Sequence, residues 1–230
     1  MDLSFIPRNL ADVKARIARA AERIGRDPAG VRLVAITKTK GADHVRAALD
    51  AGHTLFGENY VQELLSKSQL IGTGAEWHLV GHLQTNKVKK VVGVAAAIQT
   101  LDRIDLAAEV EKRAAAAGTT MDCLVEVNLA GEASKTGTAP GEVASLVRAF
   151  VSLPHVRVRG LMCVPPFLPP DQVRRYFKNL REMLARITNE MDPGPGFCEL
   201  SMGMSGDFEA AVEEGATIVR VGTAIFGQRG

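Results

Sequence analysis

The chain has 230 residues, 46% of them hydrophobic, and its 28 Lys and Arg against 26 Asp and Glu leave a net charge of +2. That balance argues against a nucleic-acid surface, and the local group Lys87, Lys89 and Lys90, with no interleaved aromatics, reads as a solvated helix face. The longest apolar and glycine run, 91–98, is far below the roughly 20 residues that span a bilayer.

The first eight residues lack the basic-then-apolar plan of a signal peptide. Cys123, Cys163 and Cys198 are odd in number and without a CxxC pair, which fits reduced thiols in a cytoplasmic protein. Pro and Gly cluster only at 165–170 and 193–196, short enough for loops, so one domain over 1–230 is expected.

In chain order, Leu10, Val13, Ile17, Ala20 and Ile24 recur at helical steps before a turn at 27–30. Residues 31–37 are apolar and β-branched, a buried strand leading straight into Lys38. Alternation follows: helix 43–51, strand 54–56, helix 58–68, strand 77–80, helix 86–92, strand 95–100, helix 103–117. Strand 122–128, helix 142–153 and strand 156–163 come next. Val173, Phe177, Leu180, Leu184 and Ile187 then mark the longest helix, and strands 198–201 and 216–221 flank a helix over 207–214.

Eight such units of about 29 residues fit a compact (β/α)8 TIM barrel, with a doubly wound open sheet as the alternative. In either fold the chemistry sits at the strands' C-terminal ends. Lys38, Asn59, His82, Asn128, Met162, Ser201 and Arg220 all fall there. His78 and His82 are four apart, but Gly81 breaks the helix a metal pair would need and no third ligand is evident, so no metal is expected.

The turn 201–207, Ser-Met-Gly-Met-Ser-Gly-Asp, can aim several N–H groups at one anion; alternatively Ser205 only caps its own helix. A second glycine turn, Gly222 with Thr223, follows the last strand, where barrels place the other half of a phosphate site. Arg220, always charged and only a donor, either faces a ring nitrogen and keeps it unprotonated or makes a structural salt bridge to Glu126 or Glu199. Lys38 is either a solvated surface group or an amine that burial keeps neutral, ready for a Schiff base with pyridoxal phosphate (PLP) or a sugar aldehyde.

Six ordered motifs carry a resemblance: 33–38 in Leu-Val-Ala-Ile-Thr-Lys, 56–63 in Phe-Gly-Glu-Asn-Tyr-Val-Gln-Glu, 78–87 in His-Leu-Val-Gly-His-Leu-Gln-Thr-Asn-Lys, Gly160-Leu161-Met162, 200–205 in Leu-Ser-Met-Gly-Met-Ser, and 220–223 in Arg-Val-Gly-Thr. Over about 10–227 the chain resembles the pyridoxal phosphate homeostasis protein family. The resemblance implies a barrel similar to the N-terminal domain of bacterial alanine racemase, with PLP held as a Schiff base on Lys38. It further implies Ser205, Gly222 and Thr223 around the phosphate, Arg220 at the pyridine nitrogen, and Asn59 and Met162 near the ring. His82 and Ser201 are counted with these cofactor-facing residues from their place at the strand ends. Lys135 matches a position that serves as a second aldehyde acceptor, against the alternative of an exposed loop lysine. Gly41 stands where the family usually has proline, and Gly206 where an acidic residue is usual.

Racemases of the related fold add a β-rich domain with a tyrosine base. Here the sequence stops soon after the last strand, and neither Tyr60 nor Tyr176 lies where that base is expected. The expectation is therefore a non-enzymatic, monomeric, cytoplasmic carrier and buffer of PLP, meeting apo PLP-dependent enzymes transiently and neither nucleic acid nor membrane. A weak amino-acid racemase, or a PLP-free Schiff-base aldolase-type barrel, are the alternatives.

Overall fold

The computed structural model describes residues 2–132 and 136–228, so Lys135 lies outside the described residues. The strands are β1 (Arg32–Ile36), β2 (Leu55–Glu58), β3 (Glu76–Leu79), β4 (Ala97–Leu101), β5 (Met121–Val127), β6 (Val156–Cys163), β7 (Glu199–Ser201) and β8 (Ile218–Val221). They are parallel and close in sequence order, β8 pairing back onto β1 through Arg32↔Ile218 to Ala35↔Val221. Closure excludes the open sheet.

The helices are α1 (Phe5–Glu22), α2 (Ala42–Asp50), α3 (Val61–Ile71), α4 (Val88–Val91), α5 (Ile104–Ala116), α6 (Val143–Val151), α7 (Pro170–Met191), α8 (Phe208–Glu213) and α9 (Thr223–Phe226). On α7 Val173, Phe177, Leu180 and Ile187 of the expected stripe are buried, Leu184 is only half-buried, and Met183 is buried in addition. A fully buried phenylalanine such as Phe177 contributes roughly 1.5–3 kcal/mol by leaving water.

The strand period of two sorts side chains into two cores. Leu33 and Ala35 of β1, Cys123 and Val125 of β5, and Val219 and Val221 of β8 face outward and pack under the helices. Their neighbours Val34, Ile36, Leu124, Met162 and Ile218 face inward and fill the barrel axis. The same parity carries Glu126, two residues beyond Leu124, and Arg220, two beyond Ile218, toward the C-terminal mouth.

Several boundaries differ from expectation. Glu58 ends β2 instead of starting a helix, because its side chain is buried beneath α3, where Lys67 holds it. The segment 86–92 forms a 3-10 turn at Thr85–Lys87 and a single α turn. Lys89 and Lys90 on it are exposed, whereas Lys87 is half-buried. β8 begins at Ile218, two residues later than expected. Among the described residues no helix is long and apolar enough to cross a membrane.

Candidate functional site

Lys38 stands two residues past the end of β1, half-buried, at the mouth. The residues on both sides of it are tied down. Thr37 N–H extends the ladder to Gly57 O at 3.1 Å, and Thr37 Oγ1 donates to Glu58 Oε1 at 2.5 Å. Thr39 has φ 65°, the left-handed region that strains a β-branched residue, and its N–H donates to Glu63 Oε2 at 2.8 Å. Lys67, from α3, spends all three ammonium protons at 2.7 Å on Thr37 O, Glu58 Oε1 and Glu63 Oε2. Burial pushes the Glu58 carboxyl up, against the pull of the Lys67 and Thr37 hydrogen bonds.

Arg220 is 5% exposed. Its Nη1 donates to Ser201 Oγ at 2.6 Å and its Nη2 to Cys163 O at 2.8 Å. Burial pulls its pKa down, while the nearby Cys163, Glu126 and Asp207 favour the cation. The salt-bridge alternative is not what forms. Among the described residues no carboxylate lies within ion-pair distance of Arg220, and Glu199 instead meets Arg32 at 2.6 Å. Arg220 thus brings a positive charge into the mouth against neutral acceptors.

Glu126 is the residue the sequence reading treated only as a salt-bridge partner. It is buried, accepts from Thr136 Oγ1 at 2.8 Å through Oε1, and keeps Oε2 without a partner among the described residues. Burial is the main cause that pushes its carboxyl up to about 7, with Asp102 adding to the rise and Thr136 and Arg220 opposing it. Its signal in the sequence was strand parity: it sits two residues past inward Leu124.

Ser205 does not cap α8, whose N-cap position is Asp207. Its hydroxyl accepts instead from Gly222 N–H and Ala224 N–H, each at 3.3 Å, so it joins the two glycine turns across 17 and 19 residues. Asp207 Oδ1 accepts from Met204 N–H at 2.5 Å and folds the turn 201–207 back on itself. Gly222 is half-buried with an ideal Cβ position only 3.2 Å from Ile36 O, so the turn passes tightly over the end of β1. Thr223 is exposed at the start of α9.

The other expected residues separate by depth. Met162 is fully buried in the inner core, below the mouth. Ser201 is equally buried, its Oγ engaged by Arg220 and donating to Gln99 Oε1 at 2.7 Å, so it reaches the mouth only through Arg220. Asn59 is half-buried just after β2, and a Cβ at Gly81 would meet its carbonyl oxygen at 2.2 Å; glycine there lets the two strand ends approach. His82 is exposed on the rim, whereas His78 is buried with Gln99 Nε2 at 2.8 Å from its Nδ1. Among the described residues no group of three or more His, Cys, Asp or Glu is placed to hold a metal ion. A small polar cavity of about 60 Å³ lies at the opposite, N-terminal end of the barrel, lined in part by Arg32, Glu76, Asp122, Arg159 and Glu199.

A family model described as alanine racemase, N-terminal domain, matches residues 9–230. The pyridoxal phosphate homeostasis protein of Aquifex aeolicus is 44% identical over 222 residues, 96% of this chain and 96% of its own length. That of Pseudomonas aeruginosa is 42% identical, covering 99% of this chain and 97% of its own. This chain belongs to the pyridoxal phosphate homeostasis protein family.

Among solved structures, PipY of Synechococcus elongatus with PLP bound is 32% identical, has a TM-score of 0.81 and covers 94% of this chain and 100% of its own. The PLP-free form of PipY has a TM-score of 0.86 over 96% of this chain and 100% of its own. An alanine racemase of Clostridium difficile shares the fold alone, at 14% identity and a TM-score of 0.74; 98% of this chain matches 57% of that one. The curated members of the homeostasis family cited here are named for homeostasis and not for a catalysed reaction, which agrees with a non-enzymatic role.

Proposed function

We propose that this chain binds pyridoxal 5'-phosphate as a Schiff base on Lys38 and works as a carrier and buffer of it, holding the reactive aldehyde and passing it to apo-enzymes. The observation that supports this most is the joint placement of a half-buried lysine and a buried arginine that has no carboxylate partner among the described residues at one barrel mouth, beside two glycine turns. PLP brings an electrophilic aldehyde, a ring with an acceptor nitrogen, and a phosphate dianion.

The residues fit that inventory. Lys38 supplies the amine, and the Thr37 and Thr39 tethers hold its backbone on the strand axis. Arg220 can only donate, so it suits an unprotonated ring nitrogen, an arrangement that weakens the ring as an electron sink and favours storage over carbanion chemistry. The long 3.3 Å contacts of Ser205 with Gly222 and Ala224 N–H would yield to a stronger acceptor, leaving a hydroxyl and two main-chain donors for phosphate, with Thr223 beside them. Asn59 and Met162 would border the ring, with His82 on the rim. Lys135 is proposed as a second aldehyde acceptor on the family resemblance alone.

The proposal further takes the chain to act as a monomer in the cytoplasm. The carrier role is tested by mixing holoprotein with an apo PLP-dependent enzyme and following the recovery of that enzyme's activity. The expected outcome is recovery faster than the release of PLP from the carrier into buffer. Equal rates would reduce the protein to passive storage, and rapid inversion of a single amino-acid enantiomer by the holoprotein would replace the proposal with racemase activity.

A further inference from the structure

Four buried side chains run down the barrel axis from the mouth toward its base: Arg220, Ser201, Gln99 and His78 are 5%, 0%, 0% and 3% exposed. Arg220 Nη1 lies 2.6 Å from Ser201 Oγ, Ser201 Oγ 2.7 Å from Gln99 Oε1, Gln99 Nε2 2.8 Å from His78 Nδ1, and His78 Nε2 3.3 Å from Glu76 Oε1. Elementary hydrogen-bond chemistry gives this chain one direction. A guanidinium has donors and no acceptor, so the Ser201 oxygen accepts from Arg220 and its single proton must go to Gln99. The Gln99 atom that meets Ser201 is therefore the carbonyl oxygen, and its amide nitrogen faces His78 and donates. Nδ1 of His78 is then an acceptor without a proton, and the ring's proton sits on Nε2, toward Glu76. A cation at the mouth thus fixes the tautomer of a histidine near the base.

We propose that Gln99 is a positioning residue for Arg220, braced from behind by His78. With its carbonyl fixed by the amide's bond to His78, Gln99 takes the Ser201 proton and keeps the serine oxygen turned to Arg220. The guanidinium is held between Ser201 Oγ and the Cys163 carbonyl, and its other N–H groups carry no hydrogen bond among the described residues. Those are the groups a ring acceptor would meet. The link to PLP rests on the proposed function; the direction of the chain does not.

Three proteins test this, through NMR of the His78 ring and the Arg220 guanidinium and through PLP binding. In the apo wild type, nitrogen NMR of the histidine rings should show His78 as the neutral Nε2–H tautomer, and the Arg220 guanidinium N–H resonances should exchange slowly with solvent. Gln99→Met, close in length but unable to hydrogen-bond, should speed that exchange, raise the dissociation constant for PLP about tenfold, and shift the visible band of bound PLP. Gln99→Glu still accepts from Ser201 but cannot donate to His78, so it should keep slow Arg220 exchange while placing a proton on His78 Nδ1. A wild-type His78 protonated on Nδ1 would overturn the direction of the chain. Unchanged Arg220 exchange in a folded Gln99→Met would overturn the positioning role. Slow exchange in the wild type that speeds up in Gln99→Met, with no PLP uptake by either protein, would uphold that role and sink the proposed cofactor instead.

Discussion

The two ends of the barrel use the same kinds of residue to opposite effect. At the N-terminal end charge is spent on charge: Arg157 meets Asp122 and Arg32 meets Glu199, both at 2.6 Å, and Arg159 lies 3.9 Å from each of those acids. At the C-terminal mouth Arg220 meets only neutral oxygens, and Glu126 keeps one oxygen without a partner among the described residues. A buried polar group left without a partner costs about 1–3 kcal/mol. The base carries one such atom as well, Arg159 Nε, so the mouth is set apart by the buried Arg220 with neutral acceptors and the buried Glu126, and it is the mouth that we propose as the site.

The contrast between the ends can be broken by substitution. The largest effect is expected at the mouth from Lys38→Ala, which should abolish the visible absorbance of PLP bound to the protein while circular dichroism still reports the folded barrel. Absorbance that survives would move the attachment elsewhere. Next, Lys67→Met strips Glu58 and Glu63 of their cation and should lower stability by about 3–5 kcal/mol in denaturant unfolding, since it leaves a buried carboxylate uncompensated. A loss under 1 kcal/mol would show that α3 does not brace the lysine loop.

Glu126 should reveal itself through pH. Its folded pKa is raised from 4.5 to about 7, so the folded state holds a proton that the unfolded state gives up, and its contribution is lost as pH rises from about 4.5 through 7. Glu126→Gln should remove up to about 3 kcal/mol of that decline, measured on the apo protein between pH 5 and pH 8. An unchanged slope would mean that Glu126 is ionised throughout. The smallest effect belongs to the base: Arg32→Ala, on a partly exposed pair, should cost less than about 1 kcal/mol and leave PLP uptake untouched. A loss of uptake there would erase the distinction between the two ends.

The barrel was legible because its signals are local. The apolar, β-branched run at 31–37 and the stripe on α7 are local patterns, and eight strand-helix units in order leave few folds. The motif positions at strand ends were legible for the same reason, since strand parity aims Lys38 and Arg220 at the mouth. What was not legible depends on partners distant in sequence. Glu58 reads as the acidic start of a helix until Lys67 is seen above it. Ser205 reads as a cap until Gly222 and Ala224 are seen to donate to it. Gln99 sits beside Thr100 in an otherwise apolar strand, 102 residues from Ser201, and nothing in that strand hints at a chain through the core.

The central claim, that this mouth anchors PLP through Lys38, is tested most directly by reducing the PLP-loaded wild-type protein with borohydride and mapping the modified peptide by mass spectrometry. The account predicts a pyridoxyl label on Lys38, whether or not Lys135 carries a second. A label confined to Lys40 or Lys135, or none at all, would contradict it.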